Sequence, residues 1–316
     1  YCTYTDGTTD YNISVSGNIC PQTACHVSNN NTVMTAENDL FKMGETCTDI
    51  GGTTINIKNN QTTPTDSGIR NYVTFNNETW RIVGIFNEEN ASGEKAERIK
   101  LVKDEPISAS TEVPTTITKG NITYQMFNPE DGSKYKYFYW NKPSSVETNR
   151  NDWTKAGSMY YLNENYLNSL ENSNLIENMK YYLGRLKSGT LKEIYTMERD
   201  ESNIFENNQA TWNGKIALLY PSDLGYARIP SGWSDAIIGN QNYNNWMLND
   251  QTVFWLLSPD ARHSVRVAGW FYGYGLGWND AAYTDLALRP VLSLKTDTKI
   301  LDGSGSINDP YILSDN

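Results

Sequence analysis

Apolar and polar residues alternate over much of the chain, and a period of two predicts strands. Tyr72 and Phe75, then the run from Trp80 to Phe86, flank Asn76 and Asn77 as the arms of a hairpin, and Arg98 to Lys103 supplies a third strand. The run from Lys215 to Tyr220 is apolar after its first residue and closes at Pro221 to Gly225, which reads as a buried strand and its turn. Phe254 to Pro259 and Leu286 to Leu294 read as two core strands, so whatever lies between them is displayed by them. Helical spacing appears at Met159, Leu162, Tyr166 and Leu170, and a second short helix fits Leu175 to Leu183, ended by Gly184. The stretch from Asp104 to Arg150 is a long polar insertion with an aromatic patch from Tyr135 to Trp140, and such insertions belong on the surface. Residues 1–68 are dominated by Thr, Asn, Asp and Gly, with alternation only at Tyr11 to Val15 and Thr54 to Ile57.

Cysteine changes this picture. Cys2, Cys20, Cys25 and Cys47 all fall in that apolar-poor first segment, an even number that suits two disulfides stapling a small β/loop unit. A zinc site with His26 is the competing reading, but Cys20 and Cys25 are spaced too widely for a zinc pair. Disulfides in turn point to an exported protein whose signal or anchor has been removed, hence to an extracellular or cell-surface location. Apolar runs as short as Val253 to Leu257 cannot span a bilayer, so no direct membrane span is expected in this chain. Lys and Arg number 26 against 37 Asp and Glu, a net charge of −11, which argues against nucleic acid as a partner.

Several runs carry a resemblance: Trp80 to Gly84, Tyr161 to Leu167, Tyr182 to Gly184, Gly214 to Asp223, Trp255 to Pro259, Leu288 to Leu292 and Asp309 to Tyr311. In this order they resemble a group of exported bacterial surface proteins. The bracket of Trp255 to Pro259 with Arg289, Pro290 and Val291 is similar to C-type-lectin-fold domains, including the variable proteins diversified by diversity-generating retroelements. The resemblance covers residues 69–316. It implies an α+β, C-type-lectin-like fold, two helices on a twisted antiparallel sheet, with the segment before Arg289 as the exposed binding face. In diversified relatives that segment is rewritten at scattered positions. Some relatives carry a pilin-like N-terminal helix, which makes a structural or pilin-like subunit of a surface appendage the alternative role.

Glycines at 269, 273, 275 and 277 alternate with large residues, so Trp270, Tyr272, Tyr274, Leu276 and Trp278 project to one side of an extended chain. Tyr and Trp among Gly give wide contact at low rotamer cost, the composition of a binding loop. The bland reading turns the same aromatics inward to close the sheet. Asp260, Arg262, His263, Ser264, Arg266, Asn279, Asp280, Tyr283 and Asp285 surround them as further ligand candidates. Val265 and Val267 suit the core, which leaves Arg266 for the ligand side. Trp278, Asn279 and Asp280 invite comparison with calcium-dependent lectins, but no Glu-Pro-Asn or Gln-Pro-Asp loop precedes them, so a calcium-dependent lectin stays a further alternative while no metal or other cofactor is expected. Catalysis is not expected either. The chain has 2 His, Ser258, Asp260 and His263 are too close in sequence to suggest a triad, and Gly273 to Gly277 leads into no phosphate-binding helix. Formylglycine-generating enzymes share the broader fold but need cysteines that are absent after Cys47. A carboxylate-pair glycosidase stays open, since its acids can come from anywhere. The expectation is therefore an adhesin-like protein whose 260–285 face holds a protein or glycan ligand on another cell, phage or host surface.

Overall fold

The computed structural model describes residues 2–5, 10–13, 46–48, 54–56, 71–127, 135–145, 148–189, 191–227, 246–248, 252–271, 275–303 and 305–314. The described residues are 43% strand and 15% helix, and one sheet curls into a half-barrel. Two short hairpins precede the main body, Cys2–Thr5 with Asp10–Ile13 and Thr46–Thr48 with Thr54–Asn56. The expected disulfides lie outside the described residues and side chains.

The large sheet has seven strands in the order Ile216–Leu218, Pro290–Ser293, Lys95–Lys103, Glu78–Glu89, Tyr72–Phe75, Tyr311–Ser314 and Lys299–Asp302. Its first hairpin turns at Asn76 (φ 56°) and Asn77 (φ 58°), the left-handed pair that a two-residue turn requires and that asparagine tolerates. Every pairing in this sheet is antiparallel except one: Tyr311–Ser314 runs parallel to Tyr72–Phe75, with Tyr311 opposite Val73 and Ile312 opposite Thr74.

The small sheet has five strands, Tyr137–Tyr139, Asp285–Ala287, Phe254–Pro259, Arg266–Phe271 and Gly275–Asp280. Its central strand is buried at all six positions. Alternation explains this: Trp255 and Leu257 enter one core with Trp80, Ile82, Leu101, Trp140 and Trp153, whereas Phe254 and Leu256 enter a second with Val83, Phe86, Val102 and Trp246. Two of the indole donors here reach backbone, Trp255 Nε1 the Phe138 carbonyl at 2.7 Å and Trp140 Nε1 the Leu256 carbonyl at 3.2 Å. The strand Tyr137–Tyr139 comes from the segment expected to lie on the surface. Ile107, Ile117, Tyr124, Met126, Phe138 and Trp140 of that insertion are in fact core.

The helical expectation at residues 157–169 meets an interrupted helix, Gly157–Tyr160 and Leu167–Ser169 being α-helical and Tyr161–Tyr166 a wider π segment. Met159, Leu162 and Tyr166 face the core as their spacing predicts. Asn163 ties this helix to the sheet, its Oδ1 accepting from Lys215 N and Ile216 N and its Nδ2 donating to the Ile216 carbonyl. The second predicted helix does not form. Ser173–Leu175 is a 3-10 turn, and Met179–Tyr182 is a strand paired with Thr211–Gly214. Met179 and Tyr181 point inward while Lys180 and Tyr182 do not, and Tyr181 stacks on Trp212 at 5.5 Å, so pairing and packing override a short ambiguous period. Among the described residues the one uninterrupted α-helix longer than a turn is Leu191–Glu198, which the sequence did not predict. The α+β, C-type-lectin-like arrangement is therefore corrected to a mostly β body without two helices on a sheet.

Candidate binding ridge

The hairpin Arg266–Phe271 and Gly275–Asp280 pairs Arg266 with Asp280, Ala268 with Trp278, Gly269 with Gly277 and Trp270 with Leu276. Cross-strand partners share a face, so Ala268, Trp270, Leu276 and Trp278 all lie on one side. That side packs on the second core: Trp270 is 6% exposed, and Leu276 and Trp278 are half-buried. Trp270 is thus a core residue and does not present itself to a ligand, the physical reason being that both faces of this sheet are covered. Tyr272 and Tyr274 lie outside the described residues. On the opposite face the glycines make room for one ring. A Cβ on Gly269 would sit 3.0 Å from Phe271 Cε2 and one on Gly277 2.8 Å from Phe271 Cδ2, so larger residues there would displace that ring.

The polar candidates gather at the other end of the hairpin. Asp260 is fully buried and acts on the backbone, its Oδ1 accepting from Arg262 N at 2.8 Å and Arg262 Nε at 3.2 Å. Below it Arg185 donates to the Asp260 carbonyl, and burial lowers the Arg185 pKa while the Asp260 charge opposes that shift. Asn151 holds the rest of the loop: its amide donates to the His263 carbonyl at 2.9 Å and the Arg266 carbonyl at 3.2 Å, and its N–H to the Ser264 carbonyl at 3.2 Å. Asp280 fixes the neighbouring turn, Oδ1 accepting from Ala282 N at 2.9 Å and Oδ2 from Arg150 Nη2 at 2.8 Å. The Arg150 guanidinium in turn lies 4.9 Å from the centroid of the Tyr283 ring, which is 74% exposed. Arg262, His263 and Arg266 are exposed, and Ser264, Asn279 and Asp285 are half-buried. Asn151, Asp260 and Asp280 hold the loop backbone, and of the outward side chains those of His263 and Arg266 have no partner among the described residues. Sequence reasoning missed Arg150, Asn151 and Arg185 because they come from far along the chain and nothing in their local spacing points to the ridge.

Both Asp280 oxygens already have donors, one of them a cation, so this carboxylate is poorly placed to ligate calcium. Among the described residues no group of three or more His, Cys, Asp or Glu side chains could hold a metal ion.

A second concentration of chemistry lies inside the molecule. Lys100 Nζ meets Glu88 at 3.0 Å and Asp223 at 3.3 Å, and Arg199 meets Glu198 at 3.1 Å and Glu88 at 3.5 Å. Glu198 also accepts from Ser222 N at 3.0 Å and from the Ser222 hydroxyl. Burial pushes the Glu198 carboxyl up to about 7, against the opposing pull of Arg199 and the Ser222 donors. Burial also raises Asp223, while Lys100 pulls it down. Glu198, Asp223 and Lys100 are at most 1% exposed. The role of the cluster is to fasten Leu191–Glu198 and Pro221–Ala227 to the large sheet. A carboxyl raised above its unfolded value stabilises the fold fully below the unfolded pKa and loses that contribution as pH rises through the folded one. Glu198→Gln is therefore expected to flatten the fall in stability between about pH 4.5 and 7, an effect on the order of 2–3 kcal/mol. Urea unfolding at several pH values checks it, and identical slopes in both proteins would contradict the raised carboxyl.

No family model, curated protein or solved structure matches the chain. The functional reading rests on the ridge itself.

Proposed function

We propose that this is an extracellular, surface-displayed binding protein that holds its ligand without chemistry on the ridge formed by Arg262, His263, Arg266 and Tyr283. The observation that carries the reading is the division of labour there. Asn151, Asp260 and Asp280 immobilise both loops through buried hydrogen bonds, while the His263 and Arg266 side chains have no hydrogen-bond or ion-pair partner among the described residues. Loops fixed in advance lose little entropy on binding, and an exposed Tyr gives contact area at low rotamer cost. Binding groups on loops held by a rigid sheet are the usual arrangement for recognition.

Labelled protein applied to arrays of glycans and of purified cell-surface proteins tests this. Saturable binding to at least one array component is expected, and the triple variant His263→Ala, Arg266→Ala, Tyr283→Ala should lose it by about tenfold or more. These side chains contribute little to packing, so the variant should unfold within about 0.5 kcal/mol of the parent. If the parent binds nothing that the variant does not bind equally well, the proposal fails.

A further inference from the structure

Resting on that binding reading, we infer that the ridge takes an acidic carbohydrate, a glycan whose sugar carboxylate pairs with Arg266 while a neighbouring ring stacks on Tyr283. The first ground is separation of charge. The whole chain is at −11, yet the ridge and the groups that contact it set Arg150, Arg185, Arg262 and Arg266 against Asp260, Asp280 and Asp285, so the acidic excess does not extend to it. The acids are also the inward members. Asp260 is fully buried and Asp280 is engaged by Arg150, whereas the Arg262 side chain is 55% exposed and Arg266 is exposed without a partner among the described residues. Where Asp260 and Asp280 are spent on structure and Arg262 and Arg266 turn outward, the surface presents a field of opposite sign to the average of the chain.

Geometry names the chemistry of the anion. A guanidinium offers a planar fork of donors that a carboxylate fits with two parallel hydrogen bonds. Arg266 is the cross-strand partner of Asp280, Asp280 binds Arg150 at 2.8 Å, and Arg150 sits 4.9 Å from the Tyr283 ring centroid. Fork and ring therefore lie on either side of the same Asp280–Arg150 pair. Arg150 takes one side of the ring, and at 74% exposure the rest of Tyr283 is open to the apolar C–H face of a pyranose. His263 adds a further polar group at the same end.

Size decides between a glycan and an acidic protein. A stable protein interface buries about 800 Å² on each partner around an apolar, desolvated centre. Among the described residues Tyr283 is the one large apolar side chain of the ridge that is exposed, Trp270 being buried and Leu276 and Trp278 half-buried. Among the described residues the ridge thus offers one open aromatic face, which suits a sugar ring, and no apolar centre of the kind a folded partner needs.

The test is a glycan array in matched pairs, sialylated against asialo chains and polygalacturonate against its methyl ester, with poly-glutamate as the acidic-peptide arm. Binding to a carboxylate glycan about tenfold above its neutral match is expected, weakening with salt and falling about tenfold in Arg266→Ala and in Tyr283→Ala, with Arg266→Lys between. Equal binding to the neutral matches, or binding to poly-glutamate alone, overturns the inference and leaves the ridge a binding site. Binding that neither variant changes overturns it as well, because the anion then sits elsewhere. Failure to bind any acidic glycan while another array component is bound and lost in the triple variant sinks the carbohydrate claim alone. No binding to any component sinks both.

Discussion

Replacing Lys100 with methionine is expected to cost about 3–5 kcal/mol of folding stability. The ammonium group is 1% exposed, sits 3.0 Å from Glu88 and 3.3 Å from Asp223, and lies 4.0 Å from the centroid of the Phe86 ring. A methionine fills most of that volume, so the loss is electrostatic. Asp223, fully buried, would keep its charge with Glu88 nearby and its cation gone, and an uncompensated buried charge is among the most destabilising single changes. Chemical denaturation at pH 7 should show a lower midpoint with an unchanged slope. Adding Asp223→Asn removes the orphaned charge while keeping an oxygen for the Tyr220 N–H that Asp223 Oδ2 accepts at 2.9 Å, so the double variant should recover a substantial part of the loss. Burial already raises the Asp223 carboxyl, and without Lys100 it should take up a proton more readily, so the defect should shrink as pH is lowered. A loss below about 1 kcal/mol at pH 7 would mean that water reaches these groups, since solvated pairs contribute no more than that.

Gly184→Ala should be nearly as damaging, by a purely steric route. Gly184 passes the end of the helix Leu191–Glu198 so closely that its N–H donates to the Glu198 carbonyl at 3.0 Å. An added Cβ would stand 2.0 Å from the Met197 carbonyl oxygen and 2.6 Å from that of Glu198. Both obstacles are backbone, so no rotamer change relieves them and the helix end must move, at about 3 kcal/mol or more. Glu198 and Arg199 move with it, so the variant should also lose the pH dependence assigned to Glu198. Gly120→Ala is the control. Its φ of +57° strains an alanine, but nothing lies within 4 Å of the added atom, so about 1–2 kcal/mol is expected. Equal losses at the two sites would refute the steric account.

Much of the large sheet was legible because its signals are local. The turn at Asn76 and Asn77 needs a residue type that accepts positive φ, and the runs Trp80 to Phe86 and Arg98 to Lys103 alternate as strands must. The stretch from Leu175 to Leu183 failed for the opposite reason, since its short apolar pattern suits either period and the decision belongs to Trp212, far along the chain. The aromatic hairpin shows a subtler limit. Alternation correctly places Trp270, Leu276 and Trp278 together, but parity states only which residues share a face and not which face meets the core. In a sheet buried on both sides that second fact comes from packing. The cluster of Glu88, Lys100, Glu198 and Asp223 was invisible because its members converge from four separate segments.

The parallel pairing of Tyr72–Phe75 with Tyr311–Ser314 has a mechanical consequence. Tension applied between the chain before Tyr72 and the chain after Ser314 pulls two codirectional strands past one another along their length. Their hydrogen bonds are then loaded in shear and must give way together. A hairpin pulled from its open end would instead unzip one bond at a time, so this junction makes the body stiff against tension applied along that line.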